Sequence, residues 1–292
     1  MEITILSFSN ILKKIKEDLH FTNFILAGIM NCDVSAISLY LNGKTPVPFL
    51  RAILLKDYLQ NSFGLDIYEE YLFKFDNDGY FFHGSKSGII GDIRPDYSLR
   101  NKTDFSKGFY LGETFKQAST FISEEEGKDS LVYRFSFDTS NLNGIELKGL
   151  DWIFFIAYNR GKIQEIPQNQ KIVKKMKSII SENHDYIFGD IADDRMSQSM
   201  EDFFADRLTY GQVLECLTQL NIGKQYCLKT TKACRNLTCT GIYRLDETYR
   251  SLIRDYAISK RNHASEESVK ISKRVFSRGR YFSDMVKQYG NE

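Results

Sequence analysis

Proline, cysteine and net charge are all scarce in this chain, and each scarcity excludes a class of protein. Only 4 of the 292 residues are proline, which argues against long disordered linkers, because such linkers are commonly rich in proline. The formal net charge is +1, so no overall field draws the chain to nucleic acid or to a membrane. With 42% hydrophobic side chains, a chain of this length is predicted to form more than one packed domain.

The 5 cysteines are odd in number, and no Cys-x-x-Cys pair occurs. Cys234 and Cys239 are close in sequence, but no neighbouring histidine completes a zinc ligand set. We therefore expect no metal site, and we expect mostly buried free thiols of the kind found in reducing compartments.

Targeting and membrane signals are also lacking. The first residues do not show the basic start and apolar run of a signal peptide. No apolar segment approaches the about 20 residues that span a bilayer. The sequence therefore predicts a cytoplasmic protein with no membrane partner.

Residues 1–76 are predicted to form a small helical domain, because apolar residues recur there at spacings of three and four. Residues 26–44 resemble the helix-turn-helix of phage-repressor-like regulators. Asn31 would adopt a positive φ in the turn, Asp33 would cap the second helix, and Gly43 would end it.

DNA binding does not follow from this resemblance. The positions expected to face DNA carry few basic or amide side chains, and they are Ser35, Ala36, Ser38, Leu39 and Tyr40. Residues 1–76 hold 7 basic and 9 acidic side chains, whereas a phosphate-binding surface should be positive. Contact with operator DNA through residues 1–60 and a purely helical interaction or sensing module both remain open.

Strand signals begin after residue 79. Short aromatic or β-branched runs at 80–83, 108–111 and 131–137 predict strands. Helices are predicted near 150–160, 168–182, 197–208 and 211–221. Strands and helices do not alternate regularly and no Gly-x-Gly-x-x-Gly follows a strand, so a doubly wound dinucleotide-binding fold is not expected.

Two segments of residues 83–121 resemble the donor site of ADP-ribosyltransferases of the diphtheria-toxin and poly(ADP-ribose)-polymerase type. The first is the His-Gly-Ser at 83–85, and the second is the Gly-Phe-Tyr strand at 108–110. Phe121 follows Tyr110 by 11 residues, as a second aromatic does in that class. The resemblance implies an α+β fold, an ADP-ribosyltransferase-like split antiparallel β-sandwich with peripheral helices, preceded by the small all-α domain.

The chain more closely resembles a bacterial family of domains with that fold, known as DUF3990. Four ordered segments carry this resemblance: 104–111, 152–160 with its Trp and Asn-Arg, 189–194, and 224–230. It covers about residues 79–240 and predicts a catalytic domain at 77–244. The resemblance does not extend to residues 245–292, which the sequence itself predicts to form a helical basic extension.

The resemblance implies that NAD is the ADP-ribose donor. His83 would hold a ribose hydroxyl, and the Gly84 backbone would bond the nicotinamide amide. The nicotinamide ring would stack between aromatic rings. The implied donor-binding set is His83, Gly84, Ser85, Gly108, Phe109, Tyr110 and Phe121.

Gln225 stands where relatives often carry a glutamate, which completes a His83, Tyr110, Gln225 catalytic set. An amide can bond the ribose 2′-hydroxyl, but it cannot act as a general base. Asp193 and Asp194 are therefore candidates for an acceptor-side or base role, with a helix cap as the alternative. Asn159 and Arg160 would either close a helix or contact the NAD phosphates.

The functional prediction is a mono-ADP-ribosyltransferase that modifies a protein or nucleic acid, such as a toxin or phage-defence effector held by an antitoxin protein. The alternative is an NAD-sensing transcriptional regulator without turnover. An RNA 2′-phosphate transferase would need several arginines that the predicted strands lack. The basic stretch at 268–280 could bind nucleic acid or be a solvated helix face.

Overall fold

The computed structural model describes residues 2–96, 103–123, 130–191, 194–218, 223–274 and 279–289. Mixed α and β structure is confirmed, with helices and strands interspersed along the chain. The strands are β1 (Ile3–Leu6), β2 (Tyr80–Ser85), β3 (Phe109–Gly112), β4 (Leu131–Phe137), β5 (Gly144–Leu147), β6 (Tyr186–Asp190), β7 (Lys224–Leu228) and β8 (Leu237–Leu245).

The helices are α1 (Phe8–Asp18), α2 (Asn23–Ile29), α3 (Val34–Leu41), α4 (Phe49–Phe63), α5 (Phe115–Ser123), α6 (Gly149–Asn159), α7 (Gln170–Ser181), α8 (Asp194–Phe204), α9 (Tyr210–Thr218), α10 (Thr231–Arg235), α11 (Glu247–Arg274) and α12 (Phe282–Tyr289). Most of the helices fall in predicted segments, but α8 begins about three residues before its predicted segment at 197–208, and α10 was not predicted. A π-helical turn at Tyr68–Leu72 and a 3-10 turn at Pro167–Asn169 complete the helical elements.

Short polar residues set several helix boundaries. Ser7 and Thr22 accept hydrogen bonds from the backbone of the first turns of α1 and α2, which satisfies donors that a helix start leaves unpaired. α4 ends at Gly64, whose φ is 66°, as expected for a left-handed C-terminal cap.

The chain divides into two compact units, each built from separate stretches of sequence. The first unit comprises Met1–Gly88, Thr114–Phe135 and Cys239–Ile258, and the second comprises Ile89–Glu113, Ser136–Thr238 and Ser259–Glu292. These units do not follow the predicted boundaries at 76/77 and 244/245, which stay predictions about domains.

In the first unit the N-terminal helices share one core with β2, α5 and the start of α11. Phe8, Leu55, Phe82, Phe115 and Tyr249 are all buried in it. The strand order is β1-β8-β4-β2, and β1 pairs in parallel with β8. β1 was not predicted, because four residues are too few to show a periodic pattern.

In the second unit the strand order is β3-β7-β6-β5. β7 runs antiparallel to both β3 and β6, so that Gln225 lies opposite Gly112 on one side and Gly189 on the other. β5 pairs in parallel with β6, a departure from a wholly antiparallel sheet. The hydrophobic helix α6 packs into the core of this unit together with α7 and α12.

No single helix in the described ranges is long and apolar enough to cross a membrane, although α2 and α3, with a sharp bend between them, together have a sufficient length and apolar composition.

Candidate functional site

β2 and α5 bring four of the predicted donor-binding residues together in the first unit. A Cβ atom on Gly84 would lie 2.6 Å from the backbone oxygen of Ala118 and 3.1 Å from the ring of Phe121. This close approach explains why the position is glycine. Ser85 is buried, and His83 is half-buried, with its ring centroid 6.4 Å from that of Tyr133.

Phe121 is the most exposed aromatic of this group, at 39%. The Nζ atom of Lys86 lies 5.0 Å from its ring centroid, a cation–π distance. Sequence reasoning did not single out Lys86, although it directly follows the His-Gly-Ser segment. The first unit thus offers an aromatic face with a cation over it, next to the Gly84 backbone.

The residue just before β3 is at a position that only glycine can occupy. A Cβ atom on Gly108 would lie 2.2 Å from the Cys227 sulfur and 2.7 Å from the Leu228 backbone oxygen. Phe109 is 1% exposed, so any contact it makes with a ligand would have to come from its backbone rather than its ring.

The hydroxyl of Tyr110 is fixed by the preceding turn. It donates to the Ser106 backbone oxygen at 2.6 Å and accepts from the Phe105 backbone N–H at 3.1 Å. Burial is the main reason that the pKa of Tyr110 lies well above its ordinary value. The phenol therefore stays neutral and its ring has a set orientation.

Lys229 supports the same turn and was not recognised in the sequence. Its Nζ atom donates to the Phe105 backbone oxygen at 3.1 Å and to the Ser106 hydroxyl at 3.3 Å, and it also bonds the Lys107 backbone oxygen. Burial lowers the pKa of this amine. Ser106 has a φ of 65°, a conformation that needs such support.

Asp104 binds the side chains of Gln225 and Arg160. The Gln225 Nε2 atom donates to Oδ2 of Asp104 at 3.0 Å. Nε and Nη2 of Arg160 donate to Oδ1 at 3.0 and 2.7 Å, and Asn159 Nδ2 donates to the Asp104 backbone oxygen at 2.9 Å. Arg160 is also the C-cap residue of α6, so one of the two roles considered for the Asn-Arg pair, closing the helix, is present.

The segments that carry the family resemblance meet around β7. Trp152 donates from its indole Nε1 to the Asp190 backbone oxygen at 2.8 Å. A Cβ atom on Gly189 would lie 2.8 Å from the Leu147 backbone oxygen and 3.0 Å from the Trp152 ring. Since Gly189 pairs with Gln225, the four segments form one connected arrangement in the second unit.

Glu113 is a carboxylate near Gln225 that sequence reasoning missed. Its Oε2 atom accepts from the Lys224 backbone N–H at 2.9 Å, and its Oε1 atom accepts from the Tyr226 hydroxyl at 3.2 Å. Burial, followed by the charge of Glu113, raises the pKa of Tyr226. Tyr226 stacks on Phe188 with ring centroids 4.9 Å apart.

The predicted base candidates are only partly described. Asp193 lies outside the described residues, and Asp194 is the first residue of α8, where only its backbone is described. Across the described part of the chain, no group of three or more His, Cys, Asp or Glu could hold a metal ion. Cys32, Cys227, Cys234 and Cys239 are free thiols.

The helix pair α2 and α3 bends by 105°, a typical angle for the two helices of a helix-turn-helix. Asn31 has the predicted positive φ, at 50°. Asp33 is the N-cap residue but makes no side-chain cap bond. The prediction that Tyr40 faces outward is wrong, because it is only 6% exposed and packs into the core.

The basic tail is described only at some positions. Lys270 and Arg280 are exposed, whereas the side chains of residues 271–274 and all of residues 275–278 fall outside the described part. The guanidinium of Arg280 donates to Gln288 at 2.9 Å.

Comparison with known proteins gives one match. No curated protein and no solved structure matches the chain significantly. Residues 80–239 match the family described as "Protein of unknown function (DUF3990)". This match covers more than half of the 292 residues and includes the whole arrangement around Gln225. The chain therefore belongs to the DUF3990 family.

Proposed function

We propose that the protein is a mono-ADP-ribosyltransferase that uses NAD and modifies a macromolecule. The observation that carries the proposal is the arrangement of Gln225, whose amide is fixed by Asp104 and Arg160. A polar residue at this place is what the resemblance to ADP-ribosyltransferases requires for the ribose of the donor. Its rigid support favours a catalytic role over a purely structural one.

Each donor-binding residue has a distinct part in the proposed reaction. His83 bonds a ribose hydroxyl, the Gly84 backbone bonds the nicotinamide amide, and the rings of Tyr110 and Phe121 contact the nicotinamide. The glycosidic bond to nicotinamide breaks and its electron pair leaves with nicotinamide. A nucleophilic atom of the acceptor then bonds the ribose carbon and loses its proton.

Gln225 orients the ribose 2′-hydroxyl but does not remove the acceptor proton, because an amide is not a base at neutral pH. Acceptors whose nucleophile is already deprotonated need no base from the protein. For other acceptors, Asp193 and Asp194 stay the candidates named from the sequence.

The test is NAD-dependent labelling by the full-length protein. His83→Ala and Tyr110→Ala should abolish transfer of labelled ADP-ribose to a lysate. Phe24→Ala changes an aromatic residue that is 78% exposed and should leave labelling unchanged. Undiminished labelling by both of the first two variants would refute the assignment.

The class of acceptor is a second measurement. Labelled product is divided and digested with a protease or with a nuclease. Loss of the high-molecular-weight label after only one digestion identifies protein or nucleic acid as the acceptor. We propose a toxin or phage-defence role with a partner antitoxin, which predicts that expression of the active protein alone slows growth and that the His83→Ala variant does not.

A second candidate is an NAD-sensing regulator that binds DNA through α2 and α3, and the 105° bend of this helix pair favours it. Against it, the exposed side chains of these helices and of α4 are largely apolar, and they include Phe24, Leu39, Leu50, Leu54 and Phe63. Such a surface suits a protein partner better than phosphates.

A gel-shift test with DNA from upstream of its own gene, run beside a nicotinamide-release assay, separates the two candidates. The regulator predicts a specific shift and NAD binding without nicotinamide release. The transferase predicts nicotinamide release whether or not DNA is bound.

A further inference from the structure

The two carboxylate oxygens of Asp104 have different partners. Oδ1 accepts both hydrogen bonds from Arg160, at 3.0 and 2.7 Å, and Oδ2 accepts the bond from Nε2 of Gln225 at 3.0 Å. An ionised carboxylate accepts hydrogen bonds and donates none. The NH2 group of the Gln225 amide must therefore face Asp104, and its Oε1 atom is the end directed away from the carboxylate.

Asp104 is itself held in place. Its side chain and that of Arg160 are 14% and 16% exposed, so water competes weakly for their ion pair. Asn159 bonds the Asp104 backbone oxygen at 2.9 Å, which ties the residue to the end of α6. Among the described residues, none donates a hydrogen bond to Oε1 of Gln225.

We propose, on the basis of the transferase function proposed above, that Asp104 is a positioning residue that turns the Gln225 amide so that its carbonyl oxygen is presented to the ribose 2′-hydroxyl of NAD. Arg160 fixes the carboxylate that does this. The carbonyl oxygen can accept the hydroxyl proton in a hydrogen bond, which the NH2 group cannot do. Accepting that bond favours the positive charge that develops on the ribose as nicotinamide leaves.

Asp104→Asn should reverse the orientation of the Gln225 amide, while the side chain at position 104 keeps nearly the same shape. The new amide can keep its oxygen on Arg160 and turn its NH2 group toward position 225. The Gln225 amide must then offer its oxygen to position 104 and present its NH2 group to the donor. We expect kcat for nicotinamide release to fall about 10- to 100-fold, a size typical of misplaced catalytic groups, while KM for NAD changes much less.

Adding Gln225→Glu to Asp104→Asn should restore activity. One glutamate oxygen accepts from the new NH2 group at position 104, and the other is presented to the 2′-hydroxyl. We expect kcat of the double variant to exceed that of Asp104→Asn by about tenfold or more. If Asp104 were merely structural, the double variant could regain stability, because changes at residues in contact are not additive. The kcat of the folded Asp104→Asn variant would then not have fallen, and there would be no loss of kcat to rescue.

Gln225→Glu alone supplies a readout that depends on pH. It places two carboxylates where a 3.0 Å hydrogen bond now joins an amide and a carboxylate, so one of them must take up a proton to relieve the repulsion. The single variant should therefore be less active than the double variant at neutral pH and should gain activity relative to it as the pH falls. If the variants that carry Asp104→Asn do not fold, the gain in activity of Gln225→Glu as the pH falls is measured relative to the wild type.

The outcomes separate the two proposals. Urea unfolding at neutral pH measures the contact between positions 104 and 225 independently of enzymatic activity. Gln225→Glu should unfold at a lower urea concentration than the double variant. Suppose that the wild type releases nicotinamide, but the double variant shows no rescue and Gln225→Glu gains no activity as the pH falls. This result overturns the positioning role of Asp104 and does not affect the proposed transferase function. Absence of nicotinamide release by the wild type overturns both, and the urea comparison then shows Asp104 to be structural.

Discussion

The indole Nε1 of Trp152 donates a hydrogen bond of 2.8 Å to the backbone oxygen of Asp190. This bond joins the start of α6 to the end of β6, the strand that pairs with Gln225. The single tryptophan of the chain is thus part of the support of the candidate site, and it offers a first prediction.

Trp152→Phe removes this hydrogen bond and leaves space in a core where Trp152 is 4% exposed. We expect the free energy of unfolding to fall by about 1–3 kcal/mol, measured by urea titration. Tyr158→Phe is the matched control, because it removes a hydrogen bond to Glu165 that is exposed, and it should cost no more than about 0.5 kcal/mol. Equal losses in the two variants would contradict a structural role for the indole.

Gly84→Ala should separate β2 from α5. The new methyl group would lie 2.6 Å from the Ala118 backbone oxygen, which cannot move without shifting the helix, so we expect a loss of about 1–3 kcal/mol. Gly28→Ala is the control, since nothing lies within 4 Å of a Cβ atom there and alanine favours a helix by up to about 1 kcal/mol. The prediction fails if thermal unfolding midpoints of both variants move in the same direction.

Asp185 should make stability depend on pH. Burial raises its pKa, but hydrogen bonds from the Asn143 backbone N–H, from Thr230 and from Lys232 outweigh this, so its pKa lies below the ordinary value of 3.8. As the pH falls below 3.8, the unfolded chain takes up a proton first, and the stabilisation is lost progressively.

Asp185→Asn should therefore be less stable than the wild type at neutral pH, by about 1–3 kcal/mol. The difference should narrow as the pH falls below the ordinary aspartate value of 3.8. Urea unfolding across this range measures it, and parallel stability curves for the two proteins would show that Asp185 does not contribute.

Lys229→Met should loosen the turn at residues 105–107. Methionine keeps an unbranched apolar stem but leaves the three acceptors of the Lys229 amine without their donor. We expect a loss of about 1–3 kcal/mol in stability. Because the same turn fixes the Tyr110 hydroxyl, nicotinamide release should also slow.

Lys177→Met is the control for this change. Lys177 is 52% exposed and pairs with Glu165, and a surface ion pair contributes at most about 1 kcal/mol. If both lysine variants lose the same stability and release nicotinamide at the wild-type rate, the turn does not depend on Lys229.

Local pattern predicted most helices and the first strands well. Apolar spacing in α1 and α7 follows one helical face, and that face is buried in both helices. Asn31 and Gly43 showed in advance where the chain needs a positive φ. β1 was missed because four residues are too few to show a periodic pattern. Tyr40 was misplaced because the burial of a side chain on a short helix depends on what packs against it.

In the candidate site too, some residues could be predicted from local sequence and others could not. His83, Tyr110 and Gln225 could be named from motifs, since residue type and order along the chain carry that information. Lys86, Glu113 and Lys229 could not, because a single charged residue in a strand or loop has no pattern that distinguishes it from a solvated one.

The sequence by itself determined the family and the helical N-terminus, and the residues proposed to hold NAD were named from it alone. Only the tertiary structure decided that Asp104 and Arg160 act on Gln225, because these three residues lie on β7, at the end of α6 and before β3. Hydrogen bonds depend on distances of about 3 Å, and residues more than fifty positions apart reach such distances only through packing of the core.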